Sequence, residues 1–269
     1  MIRHLHKLTQ HINSLTSSTS KVALLSGGVS AAVSVAVVLL LVRQAPATPN
    51  FSELEAGAER KQAFFSYLLP LIEQRNQEIL ELRQELLELH EDRDQLSYFE
   101  RRSVKTLATH YEIEDFDLDD AAAWEVLIRR VDIVPPSLAL AQAANESAWG
   151  TSRFALEANN FYGHWCFVEG CGLVPTARNV VAYHEVADFD SAEESVEKYI
   201  HNLNQHPAYA ELRQLRANLR ENDQPITGLK IVSTLDSYSE RGDAYIKEVS
   251  SMIRFNELSR FDQVISGDD

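Results

Sequence analysis

Hydrophobic and polar positions alternate differently in successive parts of the chain. Residues 22–42 form a run of 21 residues without a charge, bounded by Lys21 and Arg43. A helix needs about 20 apolar residues to cross the hydrocarbon core of a bilayer. The run therefore predicts a transmembrane anchor. A cleaved secretory signal is the alternative, because Ala45-Pro46-Ala47 has the spacing of a cleavage site, although the apolar part of a signal spans only about 7–15 residues.

The charges beside this run predict its orientation. Arg3, Lys7 and Lys21 precede it, whereas Glu53 and Glu55 follow it. Basic flanks stay in the cytoplasm under the positive-inside rule. We therefore expect residues 1–21 to form a cytoplasmic tail of a single-pass membrane protein, with the rest of the chain outside the cytoplasm.

A heptad-like pattern follows the anchor. Eight of ten positions spaced by three and four residues are apolar: Phe65, Leu68, Ile72, Arg75, Ile79, Leu82, Leu86, Leu89, Arg93 and Leu96. This spacing predicts a long amphipathic helix, which we place in a helical stalk over residues 51–110. Because proline suits the start of a helix better than its interior, we expect the continuous helix to begin near Pro70. Its apolar face either packs against later helices of the chain or forms a homodimeric coiled coil.

The next segments are predicted from their caps and turns. We expect a helix over residues 101–110, an acidic loop over 112–120 and a helix over 121–130 capped by Asp119-Asp120. Pro135-Pro136-Ser137 then starts another helix, with Ser137 as its cap and Gly150 as its stop.

One face of that helix carries candidate chemistry. Ala139, Gln142, Glu146 and Trp149 share it by spacing. A carboxylate among alanines and a tryptophan is partly desolvated, which raises its pKa toward the range useful for a general acid. By itself this pattern is weak, because a glutamate near a helix end is more often a solvated or capping residue.

A longer string resembles a known family. Residues 135–165 read PPSLALAQAANESAWGTSRFALEANNFYGHW and resemble the glucosaminidase domains of peptidoglycan hydrolases, glycoside hydrolase family 73. Their pattern is A-Q-x-x-x-E-S-x-W-G, then S-x-x-A, then N-N-x-F-G. Phe189-Asp190-Ser191 is similar to the family's Y-D-S stretch. Residues 238–249, YSERGDAYIKEV, are similar to its Y-A-T-D-P-x-Y-x-x-K-I ending, with one extra residue between the tyrosines.

The resemblance implies a fold and a location. It implies a mostly α (α+β) protein: a lysozyme-like helical domain over residues 121–258 with a small β-hairpin lobe beside a sugar groove. We expect a strand within 180–189 and helices over 191–205, 209–221 and 241–257. With the anchor, the Leu-rich helix and an insertion containing Cys166 and Cys171, the resemblance extends to Bax-type bacterial envelope proteins, which implies an inner membrane protein with a periplasmic catalytic domain.

The resemblance also implies site residues. Glu146 matches the family's general acid, and Tyr238 matches a tyrosine near the groove. The second group is open: Glu185, Glu169 or the substrate's own 2-acetamido group. Candidate substrate contacts are Gln142, Trp149, Tyr162 and Trp165, since aromatic faces stack on sugars; for Trp149 and Tyr162, core packing is the better interpretation. Asn159-Asn160 is interpreted as a structural turn.

Cysteine usage and charge narrow the remaining possibilities. Cys166 and Cys171 are the two cysteines of the chain, and in an oxidising periplasm they can close a short loop. We expect no metal or organic cofactor, because these cysteines lack histidines at zinc spacing. After residue 47 the chain holds 21 basic and 40 acidic residues, which disfavours nucleic acid as a partner.

The functional expectation is a membrane-anchored endo-β-N-acetylglucosaminidase that acts on peptidoglycan glycan strands and cuts the β-1,4 bond after GlcNAc. One alternative is a lytic transglycosylase, although the Gly-Leu-Met-Gln stretch usual in that family is absent. Another is a catalytically weak wall-binding or scaffolding module, suggested by the shifted tyrosine and the unplaced second acid.

Overall fold

The computed structural model describes residues 48–175 and 184–264. Within these ranges the helices are α1 (Ala58–Glu91), α2 (Tyr98–His110), α3 (Ala121–Arg130), α4 (Pro136–Glu146), α5 (Arg153–Ala158), α6 (Ala192–Gln205), α7 (Ala210–Glu221), α8 (Gly228–Ile231) and α9 (Asp243–Phe255). The strands are β1 (Trp165–Cys166), β2 (Gly172–Leu173) and β3 (Glu185–Ala187). The predicted mostly helical fold with a small β element is confirmed. The anchor predicted at residues 22–42 lies outside the described residues, and no helix inside them is long and apolar enough to span a bilayer.

Helix α1 begins earlier than expected. It starts at Ala58 and continues through Pro70, so the start predicted near Pro70 is wrong. Pro70 and Ser66, four residues earlier, are both exposed. The carbonyl that proline leaves without an intrahelical donor is therefore on the solvent side, where water can bind it, and apolar packing on the opposite face holds the helix together.

The apolar face of α1 is buried inside the chain. Its buried residues belong to the same hydrophobic core as those of α4, α6 and α9, and α1 contacts α3, α4 and α6. Asn76 also donates its amide to the carbonyl of Val134 at 2.8 Å. Of the two interpretations of the stalk, packing against the same chain is what the structure shows. The buried residues of α1 and of the later helices form one hydrophobic cluster, and the division into a stalk over 51–110 and a catalytic domain over 121–258 stays a prediction.

Local caps explain several helix starts. Ser97 and Glu100 form a reciprocal capping box that starts α2 at Tyr98, three residues before the predicted start. Asp120 caps α3 by accepting a hydrogen bond from the Ala122 N–H, as predicted. The acidic segment between α2 and α3 is a loop, also as predicted.

Helix α4 lies at the centre of the core. All its residues from Pro136 to Ala144 are buried, and it contacts α1, α8, α9 and the 3₁₀ helix Leu258–Val264. Ser137 does not cap the helix; its hydroxyl and N–H donate to the carboxylate of Asp262 at 2.6 and 2.9 Å. The prediction of Ser137 as the cap is therefore wrong, because Asp262, which is far away in the sequence, accepts hydrogen bonds from both donors of Ser137.

The three strands form a small antiparallel sheet in the order β1-β3-β2. The strand predicted within 180–189 is present as Glu185–Ala187, and residues 176–183 are outside the described ranges. Gly172 is required by close packing, since an added Cβ would lie 1.9 Å from the Val186 carbonyl oxygen. Helices α6, α7 and α9 follow within two residues of their predicted bounds.

Candidate functional site

Glu146 stands where α4 leaves the core. The helix ends at Glu146, whose side chain is exposed, whereas Gln142, one turn earlier, is fully buried. The chain then turns sharply, with positive φ at Ala148 (50°) and Trp149 (62°). Because the helix stops before Trp149, the predicted face of four residues ends at Glu146. The turn leaves its carboxyl at the surface.

Three neighbours define the surroundings of this carboxyl. Tyr245 on α9 and Asn145 both hydrogen-bond it. Gly163 lies beside it: a Cβ added there would be 3.7 Å from Glu146 Oε2. The carboxyl is thus held by α4 and α9 while one side stays open past a residue without a side chain.

The surrounding protein raises the pKa of Glu146, which is the direction that an acid catalyst needs. Desolvation by the surrounding protein raises the pKa of Glu146, and the hydrogen bonds from Tyr245 and Asn145 oppose it. The charge of Glu248 raises this pKa further and that of Arg241 lowers it, and the net shift is upward. Glu146 therefore retains a proton to a higher pH than an ordinary glutamate.

A chain of buried hydrogen bonds orients Tyr245. Tyr199 donates its hydroxyl to Gln142 Oε1 at 2.6 Å, and Gln142 Nε2 donates to the Tyr245 hydroxyl oxygen at 2.8 Å. Since that oxygen already accepts, the Tyr245 proton is directed at Glu146. Gln142 has no exposed surface, so its side chain contacts Tyr199 and Tyr245 and not the solvent, where the sequence predicted a substrate contact.

The two other tyrosines predicted for the site, Tyr238 and Tyr162, pack against tyrosines that lie next to Glu146 and Gln142. Tyr238 is half-buried, stacks on Tyr245 with ring centroids 5.4 Å apart, and donates its hydroxyl to the Tyr162 carbonyl at 3.4 Å. Tyr162 is buried and stacks on Tyr199 at 3.9 Å. It is Tyr245, and not Tyr238, that bonds Glu146. Tyr162 packs in the core, the interpretation favoured from sequence.

The two tryptophans have different surroundings. Trp149 packs edge-on against Phe64 and Phe65 of α1, with the Lys61 ammonium 4.8 Å from its ring centre. Trp165 at the start of the sheet is 58% exposed and stacks on His184 at 4.1 Å. Of the pair, Trp165 therefore has the more exposed ring.

The Glu185 carboxylate is hydrogen-bonded within the small sheet. It is 5% exposed and accepts the N–H groups of Gly170 and Gly172 at 3.2 and 2.9 Å. These bonds hold the loop that the Cys166–Cys171 disulfide closes. Such a carboxylate is a scaffold for the loop, whereas Glu169 within the loop is exposed. Within the described ranges, the sulfurs of Cys166 and Cys171 and the Glu185 carboxylate are the one group with the spacing of metal ligands. The two sulfurs form a disulfide with each other, so they are not free thiolates that could bind a metal.

The Asn159-Asn160 pair is a structural turn, as interpreted from sequence. Asn159 ends α5 in the left-handed region at φ 47°. Asn160 donates its amide to the carbonyls of His164 and Ala187 and accepts the His164 N–H. These bonds fix the segment that contains Gly163 next to β3, and so place Gly163 against Glu146.

Three charged or polar groups at the site were not identified from sequence: Tyr245, Arg241 and Glu248. Arg241 Nη1 pairs with Glu248 Oε2 at 2.7 Å, and both charges act on Glu146. The helical spacing of Tyr245 and Glu248 places them on one face. No local pattern indicates that this face meets the end of α4.

Comparisons with known proteins identify the family of this chain. The glucosaminidase family model, described as mannosyl-glycoprotein endo-beta-N-acetylglucosaminidase, matches residues 121–258. Protein bax of Escherichia coli (strain K12) is 34% identical over 209 residues, which cover 78% of this chain and 74% of that protein. No solved structure gives a significant match. The matched segment includes Glu146, Tyr245 and Glu248.

Proposed function

This chain belongs to the glucosaminidase family, as the motifs around Glu146 predicted, and from that premise we propose an endo-β-N-acetylglucosaminidase of peptidoglycan. It cuts the β-1,4 bond after GlcNAc in glycan strands, with Glu146 as general acid. The observation that carries the proposal is the exposed Glu146 carboxyl with its raised pKa, held by Tyr245 at the end of a buried helix.

The chemistry follows from that arrangement. Glycoside hydrolysis needs a carboxylic acid to protonate the bridging oxygen as the bond to the anomeric carbon breaks. A carboxyl that keeps its proton to a higher pH than an ordinary glutamate is better suited to this step. The buried chain from Tyr199 through Gln142 to Tyr245 limits the orientations of Glu146, so the proton is presented in a fixed direction.

The surroundings suit a glycan strand of amino sugars. Gly163 leaves the approach to Glu146 open, and the exposed ring of Trp165 offers an apolar surface on which a pyranose can stack. The acidic balance of the chain after residue 47 disfavours a phosphate polymer as the substrate.

An envelope location is part of the proposal. The uncharged run at residues 22–42 and the basic residues before it support an inner membrane anchor with a cytoplasmic amino terminus. The Cys166–Cys171 disulfide supports a catalytic domain in the oxidising periplasm.

Digestion of purified sacculi tests the proposal. Glu146→Gln keeps the shape of the side chain but cannot give up a proton, so we expect the rate to fall at least about a hundredfold, the usual scale for a positioned general acid. Glu157 is an exposed glutamate on α5, so Glu157→Gln is the matched control and should digest like the parent. Undiminished digestion by Glu146→Gln would refute Glu146 as the acid.

Product masses separate the related activities. A reducing GlcNAc end supports the glucosaminidase, whereas an anhydro-muramyl end indicates a lytic transglycosylase. Binding to sacculi without release of soluble fragments by the parent protein would indicate a wall-binding module.

A further inference from the structure

Glu248 lies beside the general acid on the neighbouring helix. It is one turn after Tyr245 on α9, so the two side chains share a face, and Tyr245 hydrogen-bonds Glu146. The Glu248 side chain is 39% exposed. Glu248 is therefore a solvent-accessible carboxylate on the same face of α9 as Tyr245, on a helix that packs against α4, and its charge acts on Glu146.

The Glu248 carboxylate is held by a cation. Arg241, just before α9, places Nη1 2.7 Å from Glu248 Oε2. This contact leaves Oε1 of Glu248 available and limits the rotation of the side chain. The arginine thus orients the carboxylate and balances its charge next to a second acid.

The two carboxyls interact through space. Tyr245 and Asn145 make the hydrogen bonds to Glu146, whereas Glu248 and Arg241 act on it by charge. An acid and a carboxylate that interact by charge where two helices meet are a candidate pair for glycoside hydrolysis. Inverting glycosidases use such an arrangement, in which a water molecule lies between the base and the sugar.

The other carboxylates considered for this role are less suited. Both Glu185 oxygens accept backbone N–H groups, and the side chain is buried.

We propose that Glu248, oriented by Arg241, is the second carboxylate of the site and serves as the general base that activates water. The inference rests on the proposed function. In the step, Glu146 gives its proton to the bridging oxygen, the bond from that oxygen to the anomeric carbon breaks, and the leaving sugar keeps a hydroxyl. Water attacks the anomeric carbon from the opposite face and gives a proton to Glu248. Exchange with solvent restores both groups, and one water is consumed.

The test combines a variant with product stereochemistry. In the full-length protein, Glu248→Gln should lower the rate of glycan cleavage about a hundredfold or more, with the thermal unfolding midpoint close to that of the parent because the side chain is exposed. Glu240→Gln makes the same change at an exposed position nearby and should leave the rate unchanged. NMR of the parent reaction should show the α anomer at the new reducing end before mutarotation.

Azide separates a base from a structural carboxylate. It is a nucleophile that needs no general base, so sodium azide should restore cleavage by Glu248→Ala and yield an α-glycosyl azide. A β product from the parent, a rate for Glu248→Gln within about threefold of the parent, or failure of azide to restore Glu248→Ala overturns the assignment. If Glu146→Gln is inactive while Glu248→Gln is fully active, only this inference fails; if the parent cleaves nothing, the proposed function fails.

Discussion

The protonation of Glu146 is controlled by the few groups that touch or face its carboxyl. Desolvation raises its pKa, and the hydrogen bond from Tyr245 pulls the pKa down because it stabilises the charged form. Tyr245 itself depends on Gln142 and, through it, on Tyr199. The protonation of Glu146 thus depends on buried residues as well as on its exposed neighbours.

We expect Tyr245→Phe to move the alkaline limb of the pH-rate profile to higher pH. An acid catalyst must be protonated, so activity falls as pH rises through the pKa of Glu146. Removing the hydrogen bond raises that pKa, which extends activity upward. Cleavage rates measured across pH check the shift. Tyr238→Phe, whose hydroxyl bonds the Tyr162 carbonyl, should leave the position of the limb unchanged; a downward shift in Tyr245→Phe would contradict the explanation.

At the scale of elements, the apolar face of α1 is predicted by the sequence, but its partners are decided by packing. Its three-and-four spacing predicts a buried stripe correctly, yet it does not specify what covers the stripe. In the folded chain α3, α4 and α6 cover it. The apolar face of α1 that was predicted to form a dimeric coiled coil is therefore buried within the chain. A homodimer stays a prediction, and this face no longer argues for it.

Adjacent leucines on α1 test this packing. Leu86 is 0% exposed and Leu87 is 38% exposed. Leu86→Ala should lower the free energy of unfolding by about 2–5 kcal/mol, because it leaves a cavity in the shared core. Leu87→Ala makes the same change on the solvent side and should cost much less. Urea unfolding followed by circular dichroism measures both, and equal small losses would mean that α1 is not part of the core.

At the scale of the whole molecule, charge and apolar surface are distributed unevenly. The acidic residues all follow residue 47, and the basic residues Arg3, Lys7 and Lys21 come before the uncharged run at 22–42. Such a distribution suits a chain whose first segment meets a membrane while its acidic body remains in water.

We expect the full-length protein to remain in the membrane fraction after washing with high salt or alkaline carbonate and to be extracted by detergent. A variant lacking residues 1–47 keeps every described element and should be released to the supernatant. Immunoblots of the fractions check both. Loss of the full-length protein in the salt wash would contradict the anchor, since charge pairing alone is screened by salt.

The sequence by itself determined the helices, because caps, turns and the period of apolar residues act between neighbours in the chain. It also identified Glu146 and the family through linked motifs. Only the tertiary structure decided which elements contact each other. The bond from Gln142 to Tyr245 joins residues 103 positions apart, and such contacts depend on how α4 and α9 pack. For the same reason only the folded chain separates Trp165, which is mostly exposed, from the buried Tyr162 and from Trp149, which packs against the core. The packing of α9 against α4 likewise brings the charge of Glu248 to act on Glu146.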